Sequence, residues 1–425
     1  NHLKVISNTK ILFDDHKMDL NLSFQNNLRR EFSEPTEHGY RPLPTNSLER
    51  EFNKNVFAAN VQMKHLFSEK HTMTSGVNME YQRNHIGGWG FIIPAFEQFT
   101  AGAFIFDQLK LSDRFTANAG ARFDIGHIKL EEYHDWYPTP VFDYNGNIVD
   151  ETFMQRSPSL SKTFTAATGS VGLNYSTDEF TGRVNLGRSF RLPDARELGA
   201  DGVNYHLFRQ ERGDSTLKPE TAWQADLSLE LEKGLSALKF SGFYTWFPNY
   251  IYLNPTSEFS DETGLQVFDF VQNEVVRWGG EVEVSQQISE VFSVNVGGEY
   301  VFSEQRSGAK KGFGLAFSPP PSVIGGITWN PQIWQGHARE TYFTLEMKVA
   351  GRQDRVVPPE EPTDGYRVMN FRAGTDLSMG RHRLGIYFQL NNILNTTYYN
   401  HTSYYRLINI PEPGRSAQVT LKYKF

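Results

Sequence analysis

Ser416-Ala417-Gln418-Val419-Thr420-Leu421-Lys422-Tyr423-Lys424-Phe425 alternates strictly, placing Ala417, Val419, Leu421, Tyr423 and Phe425 on one face. Side chains of an extended strand point alternately to its two sides, so the segment predicts a strand with one apolar and one polar surface. An apolar face that ends on an aromatic suits a strand facing lipid outside and a polar lumen inside, the arrangement of a transmembrane β-barrel.

The same period recurs upstream. Leu20, Leu22 and Phe24 share a face in Asp19 to Gln25, and Phe115, Ala117, Ala119, Ala121, Phe123 and Ile125 share one further on. Trp223, Ala225, Leu227, Leu229 and Leu231 oppose Gln224, Asp226, Ser228, Glu230 and Glu232. Phe292 to Phe302 and Leu384 to Leu390 repeat the pattern. Each is a strand with one apolar and one polar face.

The connectors discriminate further, because short and long ones alternate. Short ones fall at Asp14 to Lys17, Ser68 to His71, Leu111 to Arg114, Ser176 to Glu179, Glu232 to Gly234, Ile288 to Glu290 and Met379 to Arg381. Long segments rich in Pro, Gly, aromatics and charge occupy Ser33 to Glu51, His85 to Pro94, Lys129 to Lys162, Leu192 to Thr221, Asn254 to Leu265, Ser303 to Pro320, Gln353 to Gly365 and Ile393 to Gly414. Short turns at one end and long loops at the other characterise an outer-membrane barrel. A β-sandwich has no reason to sort its connectors this way.

Composition agrees. No apolar run approaches the roughly 20 residues of a membrane helix, which excludes a helical membrane protein but not a barrel. The chain has 425 residues without a linker or compositional break, so one large architecture is expected. Aromatic residues make up 14%, which suits interfacial girdles and equally an extracellular all-β protein. A net charge of -7 disfavours nucleic acid as a partner. The absence of cysteine excludes a disulfide framework and thiolate metal sites.

The reading amounts to about 17 strands, an odd number, whereas single-chain bacterial barrels are even. The fold expected is an all-β, transmembrane antiparallel β-barrel of about 17 strands out of about 22, the size of a transporter with a plugged lumen. The first strand, near Leu3 to Leu12, is expected to run in the same direction as the last. An upstream portion with an odd number of strands, plus the plug, is then needed to remove two open edges from lipid. Asn1 in place of Met, with no leader, predicts a processed or cropped chain or a companion chain.

Several segments, in order, resemble TonB-dependent outer-membrane receptors. Gly187-Arg188-Ser189-Phe190-Arg191-Leu192-Pro193, Arg196-Glu197-Leu198 and Gly213-Asp214-Ser215-Thr216-Leu217-Lys218-Pro219-Glu220 are similar to that family's "FR-x-P … EL … G-(N/D)-x-x-L-x-P-E" signature. Asn391 to Tyr399 is similar to its "N-(L/I)-(F/L)-(N/D)-x-x-Y" segment, Pro413-Gly414-Arg415 to its "P-G-R", and Phe24 to Phe32 to a mid-barrel strand. The resemblance covers nearly the whole chain and makes residues 1–425 the C-terminal barrel portion of such a receptor, with the plug domain and first strands outside it. Pro219 presets an extended start to a strand and Gly414 permits a close approach before the last one. Arg191, Glu197 and Glu220 are read as structural charges facing the lumen, or as plug contacts.

Within the family, Glu197 to His206, Phe208 to Asp214, Asn249 to Pro255 and Asn400 to Arg406 resemble the zinc, haem and siderophore branch. That resemblance makes His206 a candidate zinc ligand, although Asn204 and Tyr205 stand where a second His is expected. Asp201 can add an oxygen ligand, and His134 offers imidazole within the acidic, aromatic run Glu131 to Tyr137. The alternative is that these are ordinary solvated loop residues. Trp89, Phe91, Tyr133, Trp136, Tyr205, Arg209, His401, Tyr404, Tyr405 and Arg406 are the candidate ligand-binding residues, able to stack on a planar ligand such as haem or simply to pack loop on loop.

No catalytic motif emerges, neither G-x-S-x-G nor H-E-x-x-H nor a phosphate-binding glycine loop, so no enzyme and no resident cofactor is expected. The resemblance implies active import of a scarce metal ion or metal complex, such as zinc, haem or a siderophore, with cobalamin or a peptide as other cargo. It implies as partners the plug with its TonB box, the TonB–ExbB–ExbD complex, outer-membrane lipid and a possible capping surface lipoprotein. Polar lumen rows including Asp226, Glu230, Glu299 and Arg122 are expected to hold the plug. A passive channel or adhesin scaffold, and a membrane-embedded hydrolase, are the competing classes.

Overall fold

In the computed structural model, which describes residues 1–37, 39–260, 263–332 and 337–425, the alternating segments become strands. A meander opens the chain with β1 (His2–Leu12), β2 (His16–Phe32), β3 (Leu48–Ser68), β4 (His71–Gly87), β5 (Phe96–Lys110) and β6 (Phe115–Leu130). A separate hairpin follows, β7 (Tyr133–Phe142) with β8 (Ile148–Ser157). The wall resumes with β9 (Leu160–Ser176) and β10 (Phe180–Arg191). An insertion then carries the short helix α1 (Ala195–Gly199), β11 (Asp201–Asn204), a 3₁₀ turn at Tyr205–Leu207 and β12 (Arg209–Arg212). Next come β13 (Glu220–Lys233), β14 (Ser236–Phe259), β15 (Gln266–Gln287), β16 (Phe292–Gln305), β17 (Ser322–Trp329), β18 (Ala338–Ala350), β19 (Tyr366–Met379), β20 (His382–Asn391) and β21 (Ser416–Lys424).

Among the described residues nineteen strands join one sheet. Setting aside β11 and β12 of the insertion, seventeen form the antiparallel wall, each paired with its neighbour in the chain or across an inserted segment. The expected strand number and class are therefore what is found.

Register decides which face meets what. Phe24 lies opposite Phe57, Phe57 opposite Tyr81, and Tyr81 opposite Phe99, so one surface carries a continuous row of rings. Phe57 is 51% exposed and Phe425 99%, and large apolar side chains stay exposed along most of the wall. Such a surface is stable against lipid and not against water. The other face is polar: Arg122 of β6 donates to Asp124 at 2.7 Å and, reaching across β5, to Asn78 of β4 at 2.6 Å. No helix among the described residues is long and apolar enough to cross a membrane; the wall crosses with strands.

Connector lengths sort as expected. Gly234-Leu235 joins β13 to β14 and Gly380-Arg381 joins β19 to β20, with Gly234 at φ +58° and Gly380 at φ +66°. A two-residue hairpin turn with the twist of the strands needs positive φ, which glycine adopts without a Cβ clash. An eighth short-end connector, between β17 and β18, includes residues 333–336, outside the described set. At the other end the Lys129 to Lys162 segment holds the β7–β8 hairpin rather than an irregular loop. The Asn254 to Leu265 loop is shorter than expected, because β14 runs on to Phe259; residues 38 and 261–262 of the expected loops lie outside the described residues.

β1 and β21 are the two margins of the sheet, and among the described residues each pairs on one side only. Both run from the long-loop end to the short-turn end. Two strands running the same way cannot close an antiparallel barrel directly.

The largest apolar core lies at the long-loop end and not in the middle of the wall. Leu198 of α1 and Leu217 pack with Phe96, Ile128, Leu130, Ala195, Ile251 and Phe270, so the insertion seals against the inner wall. Leu198 is 1% exposed and Leu217 2%, each burial favouring the docked insertion by about 2 kcal/mol.

Candidate functional site

The insertion between β10 and β13 organises the long-loop end. Asp194 caps α1, accepting from the Glu197 amide at 2.8 Å, while the Glu197 carboxylate accepts from the Asp194 amide at 2.9 Å. This capping box holds Glu197 where Arg191 reaches it, donating to both carboxylate oxygens at 2.8 and 2.7 Å. Arg191 also donates to Glu220 at 3.2 Å, and Glu220 accepts from the Ile251 amide at 2.7 Å. The three charges read as structural thus form one ion-pair triad. Burial pushes the Glu197 carboxyl up despite the hydrogen bond from Arg191. For Arg191, burial opposes the charge, yet Glu197 and Glu220 carry its value well above the usual one. Glu197 remains ionised in our reading, because its oxygens accept two guanidinium bonds and an amide.

Further along the insertion, Glu211 is fully buried and accepts from Arg196 Nε at 2.5 Å, Arg209 Nε at 2.9 Å and Asn204 Nδ2 at 3.2 Å. β12 pairs in parallel with β15 through Gln210 to Arg212, and Arg212 clasps Asp269 at 2.7 and 3.0 Å. The insertion is therefore bound to the protruding β14–β15 hairpin as well as to the wall.

Two groups of the sequence-predicted residues come together around it. In the first, the Arg209 guanidinium lies 5.1 Å from the Phe268 ring and 4.9 Å from the Tyr404 ring, and Phe208 meets Tyr405 at 6.2 Å. His401 bonds Thr363 Oγ1 at 2.7 Å, and Arg406 donates to the His401 carbonyl at 2.8 Å and to the Glu360 carboxylate. His401 is buried, with Nδ1 bonded to Thr363 and Nε2 facing the Glu360 carboxylate at 3.3 Å, so it joins the two loops.

The second group gathers where four long segments meet. Phe91 stacks on Tyr133 at 4.3 Å, Trp136 donates to the Trp89 carbonyl at 3.0 Å, and Arg50 reaches Tyr205 at 5.4 Å and the Val203 carbonyl at 2.7 Å. Of these, Arg50, Trp89, Phe91, Val203 and Tyr205 line a small cavity together with Arg41, Glu49, Asp135, Arg156 and Asp201, while Tyr133 and Trp136 are not part of its lining. Gly202 makes the meeting possible, because a Cβ there would stand 2.1 Å from the Phe91 carbonyl oxygen. Burial, followed by the Asp135 charge, pushes the Tyr133 hydroxyl up, so it stays a neutral donor.

His206, Asp201 and His134 are not assembled as a metal-ligand set. Among the described residues no three His, Cys, Asp or Glu side chains stand where they could share an ion. Alternation along β7 turns Tyr133, Asp135 and Tyr137 inward and leaves His134 exposed on the opposite side. His206 is exposed on its 3₁₀ turn, while Asp201 engages Gln210 at 2.9 Å and Arg156 at 3.8 Å.

Sequence reasoning missed Arg41, Glu49, Arg50, Arg156 and Glu360. Each is a charge in or beside a Pro- and Gly-rich loop, and its burial depends on which loops meet.

A family model described as "TonB dependent receptor-like, beta-barrel" matches residues 6–393. Among solved structures, "Copper transporter OprC" is similar at a TM-score of 0.74 and 16% identity, over 99% of this chain and 65% of that one. The FrpB iron transporter from Neisseria meningitidis (F3-3 variant) gives 0.68 and 15%, over 99% and 62%. A double mutant of the Serratia marcescens hemophore receptor HasR, in complex with its hemophore HasA and heme, gives 0.67 and 12%, over 100% and 65%. At such identities the likeness is one of fold. The chain spans less than two thirds of the length of each of these structures.

Proposed function

The chain belongs to the TonB-dependent receptor β-barrel family, and from that premise we propose that it serves TonB-dependent import of a scarce nutrient, a metal ion or metal complex, across the outer membrane. Family membership places the barrel in the bacterial outer membrane and makes it a transporter or receptor rather than an enzyme. The observation that carries the reading is the convergence of four long loops on buried arginines and aromatic rings at one end of a polar-lined wall. Such a mouth captures a ligand, and a barrel of this width admits it only if something else gates the lumen.

That gate is an upstream plug, accompanied by the strands that complete the wall. The like-directed margins β1 and β21 support this, since an odd number of strands between them closes the sheet. The TonB–ExbB–ExbD complex supplies the energy through the plug, and a surface lipoprotein is a possible further partner. The copper, iron and heme named for the similar structures support a metal-bearing cargo.

The test is accumulation of iron, zinc, copper and haem by metal-limited cells that carry or lack the full-length receptor, with and without TonB. Receptor-dependent uptake of one of them that vanishes without TonB is expected. Uptake that persists without TonB would make the barrel a passive channel.

A further inference from the structure

We propose that the four-loop cavity is an oxyanion pocket, taking a carboxylate or phosphate group. The inference rests on the reading of this end as the nutrient-capturing mouth and names a chemical group its ligand carries. The cavity encloses about 40 Å³, room on the order of three water molecules or one oxyanion group. It opens between the partly exposed Trp89, Phe91, Asp201 and Tyr205.

Its lining is over-supplied with donors. Arg41 is 7% exposed and Arg50 5%. Arg41 Nε, Arg50 Nε and Trp89 Nε1 are buried without a hydrogen-bond partner. Against these three donors stands a single acceptor in the same condition, Glu49 Oε1, although Arg50 Nη2 lies 3.1 Å from it as an ion-pair partner. Arg50 and Arg156 have carboxylates, Glu49 and Glu31 for the one, Asp135 and Asp201 for the other. Arg41 makes no ion pair among the described residues; it donates to the Thr36 carbonyl at 3.2 Å and lies 4.6 Å over the Trp89 ring.

A buried guanidinium without a counter-charge is costly, and water relieves it poorly here. Each water accepting from these donors must place its own protons on acceptors, and of the lining's acceptors Glu49 Oε1 is the one found buried without a hydrogen-bond partner among the described residues. An oxyanion accepts from several donors at once and gives Arg41 the ion pair it lacks among the described residues, in a lining whose three arginines and three carboxylates otherwise balance.

The test is calorimetric titration of the purified full-length receptor with inorganic phosphate and with citrate, glycerol serving as the neutral control. Either anion should bind while glycerol does not; phosphate binding indicates a free ion, and citrate binding without phosphate a carboxylate on a larger molecule. Arg41→Gln should weaken binding at least tenfold. Glu49→Gln removes the carboxylate that competes for the same donors and should tighten it several-fold, an opposite sign that general loop damage cannot produce. Binding of neither anion, or weakening by Glu49→Gln as well, overturns the inference. TonB-dependent uptake is measured on the same proteins: uptake without anion binding sinks only the oxyanion pocket, whereas wild type without any TonB-dependent uptake sinks the proposed function.

Discussion

His401 and Glu360 face each other across two long loops, Nε2 to Oε1 at 3.3 Å, with 1% and 4% of their side chains exposed. Arg406 joins the same carboxylate, and the Phe317 amide donates to it at 3.0 Å. Burial acts to raise the Glu360 carboxyl, but the His401 bond and charge, the Phe317 amide and the Arg406 charge hold it below the usual range. Burial by itself nudges Arg406 downward, still far above neutrality. A carboxylate with a lowered folded pKa stabilises fully above its unfolded value of about 4.3 and loses that contribution as pH falls through the folded value. Hydrogen-exchange protection factors of segments 351–365 and 392–415, which divide out the intrinsic pH dependence of amide exchange, should therefore be high and level from about pH 8 to 5 and fall below about pH 4. Glu360→Gln should remove that acid step and weaken the junction by about 3 kcal/mol, because Arg406 is left buried without its counter-ion. Protection that stays level through about pH 4 would remove the Glu360 carboxylate as the source of the acid step.

Arg191→Ala should loosen the insertion without unfolding the wall. Two carboxylates, Glu197 and Glu220, lose a shared cation whose side chain is 42% exposed, so solvent screening limits the cost to about 1–2 kcal/mol. Limited proteolysis within residues 192–219 should accelerate while the barrel stays resistant. Unchanged cleavage would show that the apolar seal around Leu198 holds the insertion without the triad.

Arg209→Lys keeps the charge but loses the planar group between Phe268 and Tyr404 and a fixed donor to Glu211. A loss of about 1–2 kcal/mol in the docking of 392–415 onto the insertion is expected. Exchange rates in that loop measure it, and an unaltered rate would remove Arg209 as the bridge.

Gly202→Ala places a methyl 2.1 Å from the Phe91 carbonyl oxygen and 2.7 Å from Ile92 Cα. Backbone cannot yield as a flexible side chain can, so β11 and the 88–95 loop must part, at about 1–3 kcal/mol. Trp89 emission should shift toward that of a water-exposed indole. No shift would mean the loops accommodate the methyl together.

Zinc titration should give the same isotherm for His206→Ala as for the wild type, since among the described residues no three His, Cys, Asp or Glu side chains stand where they could share an ion. A lost binding event would place His206 in a ligand set that the loops form only around the metal.

Strand number, strand faces and the sorting of connectors were legible because alternation and turn chemistry are local. The family motif was legible too, but not its physical content: Arg191, Glu197 and Glu220 read as separate lumen charges until the capping box brought them into one triad. The β7–β8 hairpin escaped notice because Tyr133 to Phe142, with two prolines, lacks apolar alternation. Its own alternation then decided that Asp135 enters the four-loop junction and His134 does not.

From its sequence alone this chain is an outer-membrane barrel wall, because a strand facing lipid on one side and a lumen on the other must repeat every second residue. The mouth was decided only by tertiary structure. Arg50 meets the Val203 carbonyl across 153 positions, a contact that exists because wall curvature carries two loops over the same lumen. Whether a loop arginine is solvated or buried without a counter-charge depends on that meeting and not on its neighbours in sequence.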